Sequence, residues 1–262
     1  MSDPIGVTIL GSGSSGNATI VHCGDEGIVI DAGFSFREFK KRYKQSGLPK
    51  DLKLRGILVT HEHADHVKGL RVCSNELDIP IFATRMCADV LRMRDDQFGQ
   101  MSLIAAGGHF SLGGFEVVPF SVPHDANDPV GYVICRGSCR VGIATDVGNA
   151  NNTVKYELRN CDTLVLESNH DLNMLAASQR PWSLKQRIMG SRGHLSNVAT
   201  AELLGSILGE NTRNVILAHI SRECNKPEIA MDNARKQLEQ MGRNDINLTY
   251  ATQENPLETI WN

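Results

Sequence analysis

Short apolar runs rich in β-branched side chains recur along the chain with turn-forming residues between them: VTILG, ATIVHC, GIVIDAG, GILVTH, PIFAT, FEVVPFSV, GYVICR, RVGIATD, TLVLES, NVILAH and INLTYAT. Bounded by Gly, Pro, Asn and Asp, these read as strands. Interleaved stretches place apolar residues three and four apart and read as helices: FSFREFKKRYKQSG, HVKGLRVCSNELD, CADVLRMRDD, NVATAELLGSILG and PEIAMDNARKQLEQMG. The last opens with Asn225 ahead of Pro227 and Glu228, which suits an N-cap followed by proline in the first turn. Hairpin patterns come early and strand–helix alternation follows. With no repeat, low-complexity tract or long linker, the pattern predicts a single α/β domain over residues 1–262 with mixed sheets.

One stretch invites a different reading. GSGSSG, residues 11–16, has GxGxxG spacing, and Asp31 lies 20 positions after Gly11, as in a dinucleotide-binding turn. That fingerprint needs a helix after the last glycine. Here NATIVHC, GDEG and IVIDAG form a hairpin pattern, and the 14 residues between Gly16 and Asp31 cannot hold a crossover helix and a second strand. The loop is expected to be a tight turn whose glycines permit positive φ and close packing. Ser12, Ser14, Ser15 and Asn17 then offer donors to a substrate phosphate.

Composition narrows the classes. At 262 residues and 41% apolar, the chain can bury a substantial core. MSDPIGVTIL has neither a basic segment nor an apolar segment before a cleavage site, and no apolar run approaches the length of a membrane span, so a cytoplasmic protein without membrane attachment is expected. The seven cysteines are odd in number and lack a CxxC pair, which argues against a disulfide framework or a thiolate zinc site. A net charge of −3 gives no general attraction to nucleic acid. Between Asp171 and Glu202, however, there is no acidic residue, while Arg180, Lys185, Arg187 and Arg192 supply four positive charges along which a backbone could run. Aromatic residues are only 5% of the chain, so binding led by the backbone is expected over base stacking, with Trp182 as the one candidate stacker and a core or lid residue otherwise.

The chemistry is concentrated in THEHADHVKGL, residues 60–70, which follows the apolar run GILV. A zincin HExxH helix would need histidine at Asp65, so that reading fails. His61 and His63, two apart, share one side of an extended chain and can share a metal, while Asp65 and His66 fall where a helix begins and can turn to a second. Further ligands are available at other strand ends: His124 after VVPFSVP, Asp146 after VGIAT, His219 after NVILA and Asp31 after GIVI.

These residues, in this order along nearly the whole chain, resemble the metallo-β-lactamase fold family. LGSGSSGN, DAG, SVPHDANDPVGY, GSRGHLSN and LAHISRECNKPE further resemble its YycJ-like (WalJ) branch, related to phosphodiesterases and nucleases, although Cys224 stands where that branch favours asparagine. The resemblance implies an αββα four-layer sandwich, two mixed sheets flanked by helices. It implies that His61, His63 and His124 hold one metal, that Asp65, His66 and His219 hold the other, that Asp146 bridges them, and that Asp31 orients the histidine motif. Two divalent ions, zinc or manganese with iron as a further choice, would activate a water as hydroxide and clamp a phosphoryl group. Asp65 belongs to that catalytic set. His194, just before a helix with Ser196 as its expected N-cap, is read as the phosphate ligand or general acid. Ser14, Ser15, Asn17, His170, Arg192, Ser196 and Asn225 are read as substrate-binding residues, and His22 and His109 as structural or surface.

The function expected is a dinuclear-metal-dependent phosphodiester hydrolase, a DNA exonuclease with nucleic acid as its substrate. A small-molecule phosphodiesterase, a thioesterase or a lactonase would use the same metals. The absence of an export signal disfavours a β-lactamase. The 73 residues from Asp146 to His219 leave little room for the large inserted domain of RNA-processing relatives. A non-catalytic nucleic-acid-binding module would be expected to have lost ligands, and none is missing.

Overall fold

The computed structural model describes residues 4–95 and 97–262; residues 1–3 and Asp96, the last residue of the CADVLRMRDD stretch, lie outside the described residues. In the first half, the apolar runs become β1 (Gly6–Gly11), β2 (Ala18–Cys23), β3 (Glu26–Ile30), β4 (Lys53–Leu58) and β5 (Ile81–Thr84), and β6 (Met101–Ile104) follows without having been expected. Between them lie α1 (Phe36–Gln45), α2 (Ala64–Val67), α3 (Leu70–Leu77) and α4 (Arg85–Arg94). Next come β7 (Phe110–Leu112), β8 (Phe115–Ser121), β9 (Val130–Arg136), β10 (Cys139–Ala144), α5 (Asn152–Leu158) and β11 (Thr163–Glu167). The chain then forms α6 (Leu172–Ala177), α7 (Trp182–Met189), α8 (Asn197–Ile207), β12 (Asn214–Ala218), α9 (Pro227–Gln240), β13 (Asn247–Tyr250) and β14 (Leu257–Trp261).

The strands form two seven-stranded mixed sheets, ordered β14-β1-β2-β3-β4-β5-β6 and β13-β12-β11-β10-β9-β8-β7. β1, β2 and β3 pair antiparallel and β3 to β6 pair parallel. In the second sheet β7 to β10 are antiparallel and β10 to β13 parallel. Ile5, Val7, Val21 and Ile28 pack against Phe115, Tyr132, Val165 and Ile216, so the inner faces of the sheets meet. On the outer faces Phe39, Leu70 and Leu91 of α1, α3 and α4 cover the first sheet, and Val154, Leu204 and Leu238 of α5, α8 and α9 cover the second. This is the four-layer αββα sandwich. β2 and β11 are buried along their whole length, which explains their unbroken apolar runs.

The differences from expectation have local causes. HVKGLRVCSNELD is two helices, α2 and α3, broken at Gly69, whose Cβ position lies 1.8 Å from the Phe34 carbonyl oxygen, so only glycine fits. β6 and β7 are short, half-exposed edge strands, and β14 pairs with β1 from the far end of the chain, where no local pattern announces the partner. α5, α6 and α7 have seven, six and eight residues, about two turns each and too short for a clear periodicity, although Asn151 and Asp171 cap the first two through their side chains. Pro227 opens α9 as expected, but the N-cap is Lys226; the Asn225 side chain turns inward instead. Five of the seven cysteines, Cys23, Cys73, Cys87, Cys161 and Cys224, are buried.

Candidate metal centre

The two sheets deliver polar side chains to one shared edge. Asp31 follows β3, His61 and His63 follow β4, and Asp65 and His66 lie on α2. His124 follows β8, Asp146 follows β10, and His219 follows β12. Asp31, Asp146 and His219 all sit in the left-handed backbone region, at φ 60°, 58° and 52°. That region is uncommon and costly for residues other than glycine, and three such turns, after β3 in one sheet and β10 and β12 in the other, bend the chain sharply at the shared edge.

What they enclose is a cluster of buried, underused polar atoms. His61 Nε2, His124 Nε2, Asp146 Oδ2 and His219 Nε2 are all buried without a hydrogen-bond partner among the described residues. Ligand atoms of His61, His63 and His124 lie within 4.8 Å of one another, as do those of Asp65, His66 and His219, and those of His61, His66 and Asp146. His66 Nε2 is 3.2 Å from Asp146 Oδ2, and His219 Nε2 is 3.7 Å from Asp65 Oδ2. Buried polar atoms are costly unless something satisfies them, and a convergent set of imidazole and carboxylate atoms fits a divalent cation.

The opposite ring nitrogens are held by the protein. Asp31 Oδ2 accepts from His66 Nδ1 at 2.7 Å and from Thr60 Oγ1 at 2.8 Å, while Oδ1 accepts from the Thr60 amide. His124 Nδ1 bonds the Gly193 carbonyl at 3.0 Å. Glu167, the last residue of β11, is fully buried; its Oε1 lies 2.8 Å from both His219 Nδ1 and His194 Nδ1, and its Oε2 accepts from the amides of Val147 and Leu195. With Nδ1 thus engaged, Nε2 of His66, His124 and His219 turns to the cluster.

Electrostatics follow from this packing. Burial opposes charge on His219, yet Asp146, Asp65 and Glu167 push its imidazole up to about 10. Burial likewise works against ionised Glu167, but His194 and His219 hold its carboxyl down at about 2. His66 is raised, against its burial, by Asp146 and Asp31. Burial, with a smaller contribution from His66, drives His61 well below the usual imidazole range.

Glu167 is absent from the residues expected from sequence, although its position at the end of TLVLE repeats the strand-end placement that marks the other site residues. Glu62 is also missing from that set. Its carboxylate accepts from the Asn127 amide at 3.0 Å and from Asn127 Nδ2 at 2.5 Å, tying the histidine motif to the loop that carries His124. Asp125 places Oδ1 3.3 Å from His124 Nε2 and pairs with Arg187.

The expected substrate residues divide. Ser14 and Ser15 are exposed at the tip of the GSGSSG loop, where Gly13 sits at φ 146° and the Ser15 amide donates to Gln253 Oε1. Asn17 is buried behind the cluster, its Nδ2 3.1 Å from His66 Nε2 and its Oδ1 accepting from the Gly13 amide. Ser12 accepts from the His219 amide, so it too faces inward. Ser196 caps α8 by accepting from the Ala199 amide. His170 is buried, and its Nδ1 has no partner among the described residues. Asn225 is buried, its amide donating to the Ser168 and Asn169 carbonyls and to Asn197 Oδ1, which makes it a brace between loops and leaves it no face for substrate.

The basic segment is not a continuous track. Lys185 is buried and donates to the Ala176 and Ser178 carbonyls, Arg180 pairs with Glu223, and Arg187 pairs with Asp125. Arg192 is exposed. Trp182 is 64% exposed, which removes its core reading. His22 is buried against Thr8 and the Trp261 ring, and His109 is exposed. Cys224 packs with Leu175 and Ile188, so its departure from asparagine alters a small core and no exposed surface.

Residues 26–220 match the family model described as Beta-lactamase superfamily domain. An exodeoxyribonuclease YycJ from Bacillus anthracis is 32% identical over 237 residues, covering 90% of this chain and 89% of that protein. An exodeoxyribonuclease WalJ from Streptococcus pneumoniae is 30% identical over 238 residues, covering 89% and 88%. Zn(2+)-bound PqqB from Methylobacterium extorquens superposes with a TM-score of 0.69 over 97% of this chain and 99% of that one, at 18% identity.

Proposed function

The chain belongs to the beta-lactamase superfamily, in the branch of the YycJ and WalJ proteins, as a metal-dependent hydrolase of the nuclease and phosphodiesterase type; from that premise we propose that it is a dinuclear-metal exodeoxyribonuclease. The observation that carries this reading is the set of orphaned buried atoms, His61 Nε2, His124 Nε2, Asp146 Oδ2 and His219 Nε2, converging at one edge with His194 beside them. His61, His63 and His124 would hold one ion, Asp65, His66 and His219 the other, with Asp146 between. Bound there, zinc or manganese supplies Lewis acidity toward a phosphoryl oxygen and a nucleophilic water at neutral pH.

The protein's own groups prepare the reaction. Asp31 and Glu167 fix the imidazoles, so the ligands are in place before substrate arrives. His194 is 22% exposed at its side chain and gives Nδ1 to Glu167, leaving Nε2 to hand a proton to the departing alkoxide. Ser14, Ser15 and Arg192, exposed around the site, contact the phosphate backbone. His170 serves as a further polar contact. Because both sheets contribute ligands, residues 1–262 act as one functional unit. A reducing cytoplasmic setting suits seven cysteines of which five are buried, and among the described residues no helix is long and apolar enough to cross a membrane.

The test is incubation of metal-loaded protein with end-labelled single- and double-stranded DNA and RNA, alongside bis(p-nitrophenyl) phosphate. Stepwise release of nucleotides from DNA ends is expected, abolished by His61→Ala and reduced about 100-fold by His194→Ala. Cleavage of the small diester alone contradicts the nuclease reading, and full turnover of His194→Ala contradicts the proton-donor role.

A further inference from the structure

The two ligand sets of the metal centre are braced differently. Behind the set of Asp65, His66 and His219 stand carboxylates, Asp31 on His66 Nδ1 and Glu167 on His219 Nδ1. Behind the set of His61, His63 and His124 stand neutral groups: His61 Nδ1 lies 3.0 Å from Thr60 Oγ1, and His124 Nδ1 bonds the Gly193 carbonyl. This set is also split between the sheets, since His61 and His63 follow β4 in one and His124 follows β8 in the other. Its geometry depends on how those two chain segments are held together.

Glu62 stands at that joint. It lies between His61 and His63 and is only 3% exposed. Its Oε1 accepts from the Asn127 amide at 3.0 Å and from Asn127 Nδ2 at 2.5 Å, and its Oε2 accepts from the same amide at 3.2 Å. Asn127 is three residues after His124. On the other side Arg94, at the end of α4, donates to the Glu62 carbonyl at 2.6 Å. A buried carboxylate is costly unless it is hydrogen-bonded, and bonds to a charged acceptor are the stronger kind, so Glu62 and Asn127 hold each other firmly. The sheets have separate contacts of their own. The Val130 amide donates to the Thr60 carbonyl at 3.0 Å, and Tyr132 Oη donates to the Val59 carbonyl at 2.5 Å, so β4 and β9 stay docked without Glu62.

We propose that Glu62 and Asn127 are positioning residues that set the affinity of one ion of the pair, the one held by His61, His63 and His124. The other ion depends on Asp31 and Glu167. The inference rests on the two-ion reading above and gives each ion its own support. Glu62 acts on the histidines to either side of it and, through Asn127, on His124.

Metal affinity, read one ion at a time, provides the test. Metal-free protein is titrated with zinc against a competing chelator, and the two binding steps are assigned by His124→Ala, which should abolish one, and His219→Ala, which should abolish the other. Glu62→Ala and Asn127→Ala should each weaken the His124-dependent step about 10-fold or more, and change the other by no more than about 2-fold. The double variant should bind no more weakly than the weaker single one, because both substitutions remove the same contact. Glu62→Gln keeps an oxygen that accepts from Asn127 and should recover most of the affinity. Cooperative urea unfolding of each metal-free variant, followed by circular dichroism, should show that the sheets remain docked. Equal weakening of both steps, or of neither, overturns the proposal and leaves the two-ion reading intact. So does a Glu62→Gln variant as weak as Glu62→Ala beside an Asn127→Ala variant at the wild-type value, since Glu62 would then act by charge alone. A wild type that binds a single equivalent overturns the two-ion reading, and this proposal with it.

Discussion

Glu167 is the residue on which the account turns most sharply, because one carboxylate oxygen orients both a candidate ligand, His219, and the candidate proton donor, His194. Glu167→Gln preserves volume but removes the charge from a buried position, and should lower kcat and metal affinity by about 10- to 100-fold each, measured by steady-state kinetics and by metal titration. The residue shares the strand-end placement of Asp31, Asp146 and His219, but it is the last residue of its strand and has no ligand role in the motif that picked those out, so the sequence did not single it out. His61-x-His63-x-Asp65-His66 was legible because four chemical groups crowd six positions. His22 illustrates the opposite case, a histidine rightly expected to be structural. Burial pushes it down to about 4 from an ordinary 6.5. Between those values the unfolded chain binds a proton that the folded chain refuses, so its contribution is complete above pH 6.5 and is lost as pH falls toward 4. The loss is at most roughly 3 kcal/mol. His22→Gln should therefore show a smaller drop in urea midpoint between pH 7 and pH 4.5 than the wild type.

At the scale of elements, the strand ends do the assembling. The 31–33 turn is threaded against α2: the Ala32 amide donates to the His66 carbonyl, the Gly69 amide donates to the Ala32 carbonyl, and the Cβ position of Gly33 lies 1.7 Å from the Asp65 carbonyl oxygen. Gly33→Ala forces two backbones apart at the point where Asp65 and His66 are held. It should cost on the order of 3 kcal/mol of stability, seen as a lower denaturation midpoint, and should weaken metal loading measured on the same sample. DAG was readable as a motif, but its contact with α2, 30 residues on, was not. The same limit applies to β6, β7 and β14, whose existence depends on partners in the sheet more than on their own few residues. GSGSSG shows local reading at its best, since the hairpin after it excluded a nucleotide fold, and the structure makes the loop a wall beside the metal centre.

At the scale of the whole molecule, two sheets meet so that the first supplies the HxHxDH ligands and the second supplies His124, Asp146 and His219. The order of strand-end ligands made this architecture legible. The engagement of the basic segment was hidden, because Asp125 and Glu223 reach Arg187 and Arg180 from outside it. The central claim is that this shared edge is a two-ion centre for cleaving nucleic acid. The most direct test is to strip the protein with a chelator and titrate manganese or zinc back while following release of nucleotides from end-labelled single-stranded DNA. The account predicts no cleavage by the stripped protein and a rise that reaches its plateau at two equivalents of metal per chain. Cleavage that survives the chelator, or a plateau at one equivalent, would contradict it.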